Sequence, residues 1–191
     1  EEIGMTNPGF THLAQYRDVE ALNAARLLAE RGHSEAEILA ILQAKSRDNA
    51  RTPMQWDDSL HAGFTSGTPW VEVAANYPQL NAQRVISQDD SIYHYYRKLS
   101  QLRKSSAAIV TGEYQVYFAD DPQLYVYTRS LANEVILVIN NFYATSCNFT
   151  VPEALQTCCE VEYLLNNYPE QPDNWQQFTL RPYQSVVLLL Q

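Results

Sequence analysis

The sequence predicts an α+β chain, with helices and long loops first and an antiparallel β-sandwich after them. Apolar residues recur at helical spacing in three segments before residue 107. Beyond it, short alternating runs follow one another between turn signals such as Asp120-Asp121-Pro122, Ala132-Asn133 and Asn166-Asn167-Tyr168-Pro169. A hydrophobic content of 46% over 191 residues is ample for a packed core. The expected division is therefore residues 1–106 and residues 107–191.

Residues 11–31 read as a first helix, with Val19, Leu22, Ala25 and Leu28 at helical spacing and Gly32 as its stop. Ser34 opens a second helix, its hydroxyl placed to cap the first turn while Glu37 reaches back. Ile38, Leu39, Ile41 and Leu42 give that helix a buried face. The third helix covers residues 90–104 and sets Ile92, Tyr95, Tyr96, Leu99 and Leu102 on one side. Arg97, Lys98, Arg103 and Lys104 gather toward its C-terminal end, where positive charge suits the helix dipole. Residues 46–88 form a long loop rich in Asn, Asp, Gly, Pro and Trp, a length that marks functional or disordered segments. From residue 111 on, Tyr114/Val116/Phe118, Leu124/Val126, Val135/Leu137/Ile139, Cys147/Phe149/Val151, Val161/Tyr163 and Val186/Leu188 predict six to eight strands.

A net charge of −9 and a pI near 4.8 exclude nucleic acid and anionic membrane surfaces as partners, because the phosphates would repel this surface. No apolar run approaches the ~20 residues of a membrane span. Cys147, Cys158 and Cys159 are odd in number and two are adjacent, which favours free thiols in a reducing cytoplasm over a disulfide framework. They read as apolar fillers of the β-domain. No second Cys pair or His stands at ligand spacing, so no metal is expected. His12, His33, His61 and His94 likewise lack metal spacing and a partnered nucleophile.

Residues 46–56, Ser-Arg-Asp-Asn-Ala-Arg-Thr-Pro-Met-Gln-Trp, place two guanidinium groups, a carboxylate and an indole in a stretch that no structural period explains. Arginine offers rigid charged donors to hydroxyl oxygens, and tryptophan an apolar face that covers a pyranose ring. This string closely resembles the α-glucosidase branch of the α-amylase clan of glycoside hydrolases. The opening Glu1-Glu2-Ile3-Gly4-Met5-Thr6-Asn7 resembles the end of that family's last barrel strand. The resemblance implies that residues 1–106 are the C-terminal portion of a (β/α)8 catalytic barrel, packed on the rest of that barrel. Residues 107–191 are then the all-β domain that follows, and the chain is the C-terminal part of a larger enzyme.

For function the resemblance implies retaining hydrolysis of a small α-glucoside without a cofactor; the alternative from another class is a non-catalytic module that binds carbohydrate or buttresses the barrel. Its partner would be a sugar or sugar phosphate. The wording Met5-Thr6-Asn7-Pro8-Gly9-Phe10-Thr11, then Tyr16-Arg17-Asp18-Val19-Glu20, resembles members that cleave trehalose 6-phosphate more than those that cleave isomaltose. A retaining mechanism needs two carboxylates about 5 Å apart. The family's nucleophile, acid/base and third carboxylate lie upstream of the matching positions, so no catalytic residue is expected in this chain. Glu1 and Glu2, adjacent on an extended segment, point opposite ways and are assigned to structure.

Two substrate-binding residues are implied. Arg47 would donate to hydroxyls of the glucose whose bond is cleaved, and Glu20 would accept from the leaving sugar. The alternatives are an Arg–carboxylate pair that pins the loop and a solvated helix-face glutamate. Asp48, Arg51 and Trp56 are expected to organise the loop, and Trp56 and Trp70 flank a turn that could wall the sugar site. A phosphorylated sugar calls for an Arg or Lys cluster, and none is identified in this sequence.

Overall fold

The computed structural model describes residues 3–158 and 160–191, so the readings of Glu1, Glu2 and Cys159 lie outside the described residues. The chain divides into two compact units, one ending at Tyr96 and the other spanning Arg97–Gln191.

In the first unit, α1 covers Val19–Glu30 and α2 covers Glu35–Lys45. The expected start of α1 at residue 11 is corrected by eight residues, because Asp18, held extended, accepts the backbone N–H of Ala21 as the N-cap. The residues before it turn instead through a 3-10 segment, Leu13–Gln15, closed by the Gln15 amide oxygen on the N–H groups of Thr11 and His12. The buried stripe is also rotated from the one expected. Ala21 and Ala25 face the core, whereas Val19 is 70% exposed. The capping box on α2 forms as read: Ser34 N–H donates to Glu37 at 2.8 Å, and Glu37 N–H to the Ser34 hydroxyl at 3.4 Å. Ile38 and Leu42 then join Phe10, Tyr16, Ala21, Ala25 and Val71 in one cluster, with Ile41 left exposed.

The long segment after α2 is compact. It contains 3-10 turns at Arg47–Ala50 and Leu60–Gly63 and a short helix, α3, at Ala82–Ile86. Its buried polar residues carry it: the Gln55 amide donates to Leu80 O at 2.6 Å and Asn76 Oδ1 at 3.2 Å, and Asn81 caps α3 through Arg84 N–H. Gly63 is required where it stands, at φ +67° with the Asp57 carboxylate 2.7 Å from where a Cβ would be. The helix α4, Ile92–Ser105, has no buried residue, and Ile92, Tyr96 and Leu99 on its expected inner face are exposed.

The second unit adds a short helix, α5 (Ala107–Thr111), and the strands β1 Glu113–Tyr117, β2 Leu124–Leu131, β3 Glu134–Asn141, β4 Cys147–Thr150, β5 Val161–Asn166, β6 Gln177–Leu180 and β7 Ser185–Leu190. A five-stranded antiparallel sheet runs β1-β2-β3-β7-β5, and β4 pairs with β6 in a second sheet. Leu137, Ile139, Val186, Leu188 and Leu190 of the large sheet pack with Phe149 and Leu180 of the small one, which is the expected sandwich. The alternate residues Ile136, Val138, Val187 and Leu189 bury the other face against Leu102, Ala108 and Ile109. Both faces of β3 and β7 are thus covered, which explains why those strands read as continuous apolar runs. A bulge between Tyr163 and Leu165 lets β5 follow β7. The expected inward face of β1 is corrected: Tyr114 and Val116 are exposed on this edge strand, and Tyr117 meets the core.

Candidate functional site

Ser46 joins two elements. Its N–H closes α2 on Leu42 O at 2.9 Å, and its hydroxyl accepts Asp48 N–H at 3.2 Å to start the turn Arg47–Ala50. The Asn49 amide donates to Gln43 O at 2.9 Å, near the helix end, and adds a second bond at 3.3 Å to Leu42 O, which already accepts Ser46 N–H. The turn is therefore welded to α2.

Asp48 ties the same turn to α1. It is fully buried, and its Oδ2 accepts the backbone N–H groups of Arg17 at 2.7 Å and Asp18 at 2.9 Å. Charge-assisted bonds of this kind are about twice as strong as neutral ones. Beside it Tyr16 is buried, and burial first, then the charge of Asp48, push its hydroxyl above the usual tyrosine range.

On this base Arg47 and Glu20 meet at the surface. Arg47 Nη2 lies 2.6 Å and Nε 3.1 Å from Glu20 Oε2, with side-chain exposures of 59% and 70%. Asp18 stands behind them: its Oδ1 accepts from Arg51 Nη1 at 2.9 Å, and its Oδ2 lies 4.0 Å from Arg47 Nε. An exposed pair contributes only about 0–1 kcal/mol to folding. Arg47 and Glu20 are thus free to trade each other for a polar ligand without loosening the turn.

Of the residues singled out from sequence, Arg47, Glu20, Asp48 and Arg51 come together here. Trp56 is fixed through its backbone, its N–H on Ala62 O at 2.9 Å and its carbonyl accepting Gln83 N–H at 3.0 Å, while its indole is exposed. Trp70 is exposed too, on the far side of a turn in which His61 and Ala62 hold φ near +55° and +58°. No cluster of His, Cys, Asp or Glu fit to hold a metal occurs among the described residues. No helix among them is long and apolar enough to cross a membrane. Asp18 escaped the sequence reading. Its signal was present, an Asp directly ahead of the helical period, but starting that helix at residue 11 hid it.

Two families match the sequence: the α-amylase catalytic domain over residues 1–112 and the α-amylase SusG C-terminal domain over residues 124–187. The trehalose-6-phosphate hydrolase of Bacillus subtilis (strain 168) is 47% identical over 191 residues, 100% of this chain and 34% of that protein. The oligo-1,6-glucosidase of Bacillus cereus is 44% identical over 191 residues, again 100% and 34%. Among solved structures, the trehalose-6-phosphate hydrolase of Bacillus licheniformis superposes with a TM-score of 0.94 at 47% identity, covering 99% of this chain and 34% of that one. The chain spans about a third of the length of these relatives.

Proposed function

We propose, because the chain belongs to the α-amylase family, that it forms part of a retaining α-glucosidase cleaving trehalose 6-phosphate to glucose and glucose 6-phosphate. The observation that carries this reading is the exposed Arg47–Glu20 pair on its buried Asp48 base. Arg47 exchanges its bonds to Glu20 for a hydroxyl of the glucose being cleaved, and the released Glu20 accepts from the leaving sugar. Their work is orientation, turning binding energy into a well-placed anomeric carbon. Asp48, Arg51 and Trp56 organise the loop.

Bond cleavage needs a nucleophilic and an acid/base carboxylate about 5 Å apart. This reading assigns both to the part of the protein that the relatives carry beyond the matched third. Residues 1–106 then complete a (β/α)8 barrel whose other elements cover the open face of Ile92, Tyr96 and Leu99, and residues 107–191 form the all-β domain. The free thiols of Cys147 and Cys158 fit a cytoplasmic enzyme.

The test compares kcat/KM of the intact enzyme for trehalose 6-phosphate, trehalose and isomaltose. The phosphate, through charge-assisted hydrogen bonds, should favour the first over the second by at least about tenfold. Preference for isomaltose would instead establish an oligo-1,6-glucosidase, the reading that the 44% identical relative supports. The 191-residue chain alone should turn over none of the three.

A further inference from the structure

We propose that Asp18 is the positioning residue of this site, holding the guanidinium of Arg47 from behind so that Arg47 keeps its orientation when substrate displaces Glu20. The inference rests on the reading of Arg47 as a substrate-binding residue.

Asp18 differs from its neighbours in burial. Its side chain is 10% exposed, against 59% for Arg47, 43% for Arg51 and 70% for Glu20. It is also held on every side. Its backbone N–H sits on the buried Asp48 carboxylate at 2.9 Å, and its Oδ2 accepts Ala21 N–H at 3.2 Å, so neither its backbone nor its side chain is free to swing. The remaining oxygen, Oδ1, takes Arg51 Nη1 at 2.9 Å, and the shared charge lies 4.0 Å from Arg47 Nε. The third nearby cation does not compete, because Arg17 turns its guanidinium to the carbonyls of Ala14 and Tyr16.

Capping α1 requires one oxygen acceptor, which a serine supplies. The second oxygen and the full negative charge exceed that need, and both are spent on arginines. The two carboxylates facing Arg47 thus have separable parts. Glu20 is exposed and exchangeable, so a sugar hydroxyl replaces it at little cost. Asp18 is largely shielded, 10% exposed, and fixed, and its attraction for Arg47 is less screened by water and salt. When Glu20 lets go, the guanidinium still faces a fixed anion and does not reorient. Because Asp18 touches no substrate, its effect must pass through Arg47.

Asp18→Ser and Asp18→Asn in the intact enzyme, each with and without Arg47→Ala, test this. Serine keeps a cap but cannot reach the arginines; asparagine keeps cap and reach but loses the charge. Asp18→Ser should melt within a few degrees of the parent, yet lose about tenfold or more in kcat and kcat/KM together, the sign of a contact made in the transition state. Asp18→Asn should recover part of that loss. In the Arg47→Ala background, Asp18→Ser should cost less than about twofold more. Additive losses, or an Asp18→Ser enzyme of parental activity, would reduce Asp18 to a helix cap. If the intact enzyme cleaves no α-glucoside, the functional reading fails, but the coupling is still readable by NMR. Asp18→Ser should then shift the Arg47 Nε–H resonance and quicken its exchange while the Ala21 amide stays protected. An unmoved Arg47 Nε–H would overturn the proposal without reference to catalysis.

Discussion

In the Arg97–Gln191 unit, the buried set is dominated by Val, Ile, Leu and Phe at alternate strand positions, from Val126 and Leu137 to Leu188 and Leu190. In the unit ending at Tyr96, the fully buried side chains include Asp48, Gln55 and Asn81. Two of these bond far along the chain, Asp48 to residues 30 and 31 positions away and Gln55 to residues 21 and 25 away. Apolar contact is additive and indifferent to direction, so it builds a scaffold that tolerates small shifts. Hydrogen bonds are directional and costly to leave unmade, so they fix individual backbone atoms. The sandwich unit also uses such bonds, at buried Asn141 and Gln184, but the site stands on those that Asp48 makes to Arg17 and Asp18, where side chains need placing within tenths of an ångström.

The largest test of this contrast removes apolar volume from the sandwich. Leu188, fully buried and paired across the sheet with Leu137 and Tyr163, should cost about 2–5 kcal/mol on truncation to alanine. Urea unfolding measures it. A loss below about 1 kcal/mol would mean that the sandwich is not packed to native density.

Arg47→Ala should do the reverse. In the intact enzyme it should lower kcat/KM by on the order of 100-fold, about 2.7 kcal/mol of transition-state stabilisation, with the melting temperature nearly unchanged. A loss under about threefold with the fold intact would turn Arg47 into a loop pin. Arg47→Lys should rescue poorly, because a point charge does not reproduce the planar fork.

Legibility in the sequence follows the same division. Strand alternation around Val135/Leu137/Ile139 and Val186/Leu188 was readable because a sheet repeats every two residues, and both sides of that pattern found their cores. The capping box at Ser34 and Glu37 was readable because its partners are three residues apart. The burial of Asp48 was not readable, since nothing periodic links it to the N–H groups of Arg17 and Asp18. What meets the exposed faces of α4 and β1 was not readable, because an apolar stripe marks a face fit for burial without naming what covers it.

Ser34→Ala removes a local polar tie from α2 and should cost about 1 kcal/mol, between the truncation of Leu188 and the ionisation of Glu37 in effect. A change as large as that of Leu188→Ala would contradict the view that α2 is held chiefly by Ile38 and Leu42.

The smallest effect is the charge of Glu37 itself. The Ser34 backbone N–H first, then the Ser34 hydroxyl, with the His33 charge a lesser cause, hold its carboxyl below the usual glutamate range. A carboxyl whose folded pKa is depressed contributes stability that is present above the unfolded value and is lost as pH falls through the folded one. Acidification should therefore fray the first turn of α2 only below the usual glutamate range, while the sandwich, held by apolar contact, does not respond over that interval. An NMR titration of the Glu37 side chain together with amide exchange at Ala36 and Glu37 reads both. Ser34→Ala should raise the Glu37 midpoint only part of the way, because the backbone N–H, the larger cause, survives the substitution. A full return to the ordinary glutamate value would show that the hydroxyl, not the backbone, fixes the carboxylate.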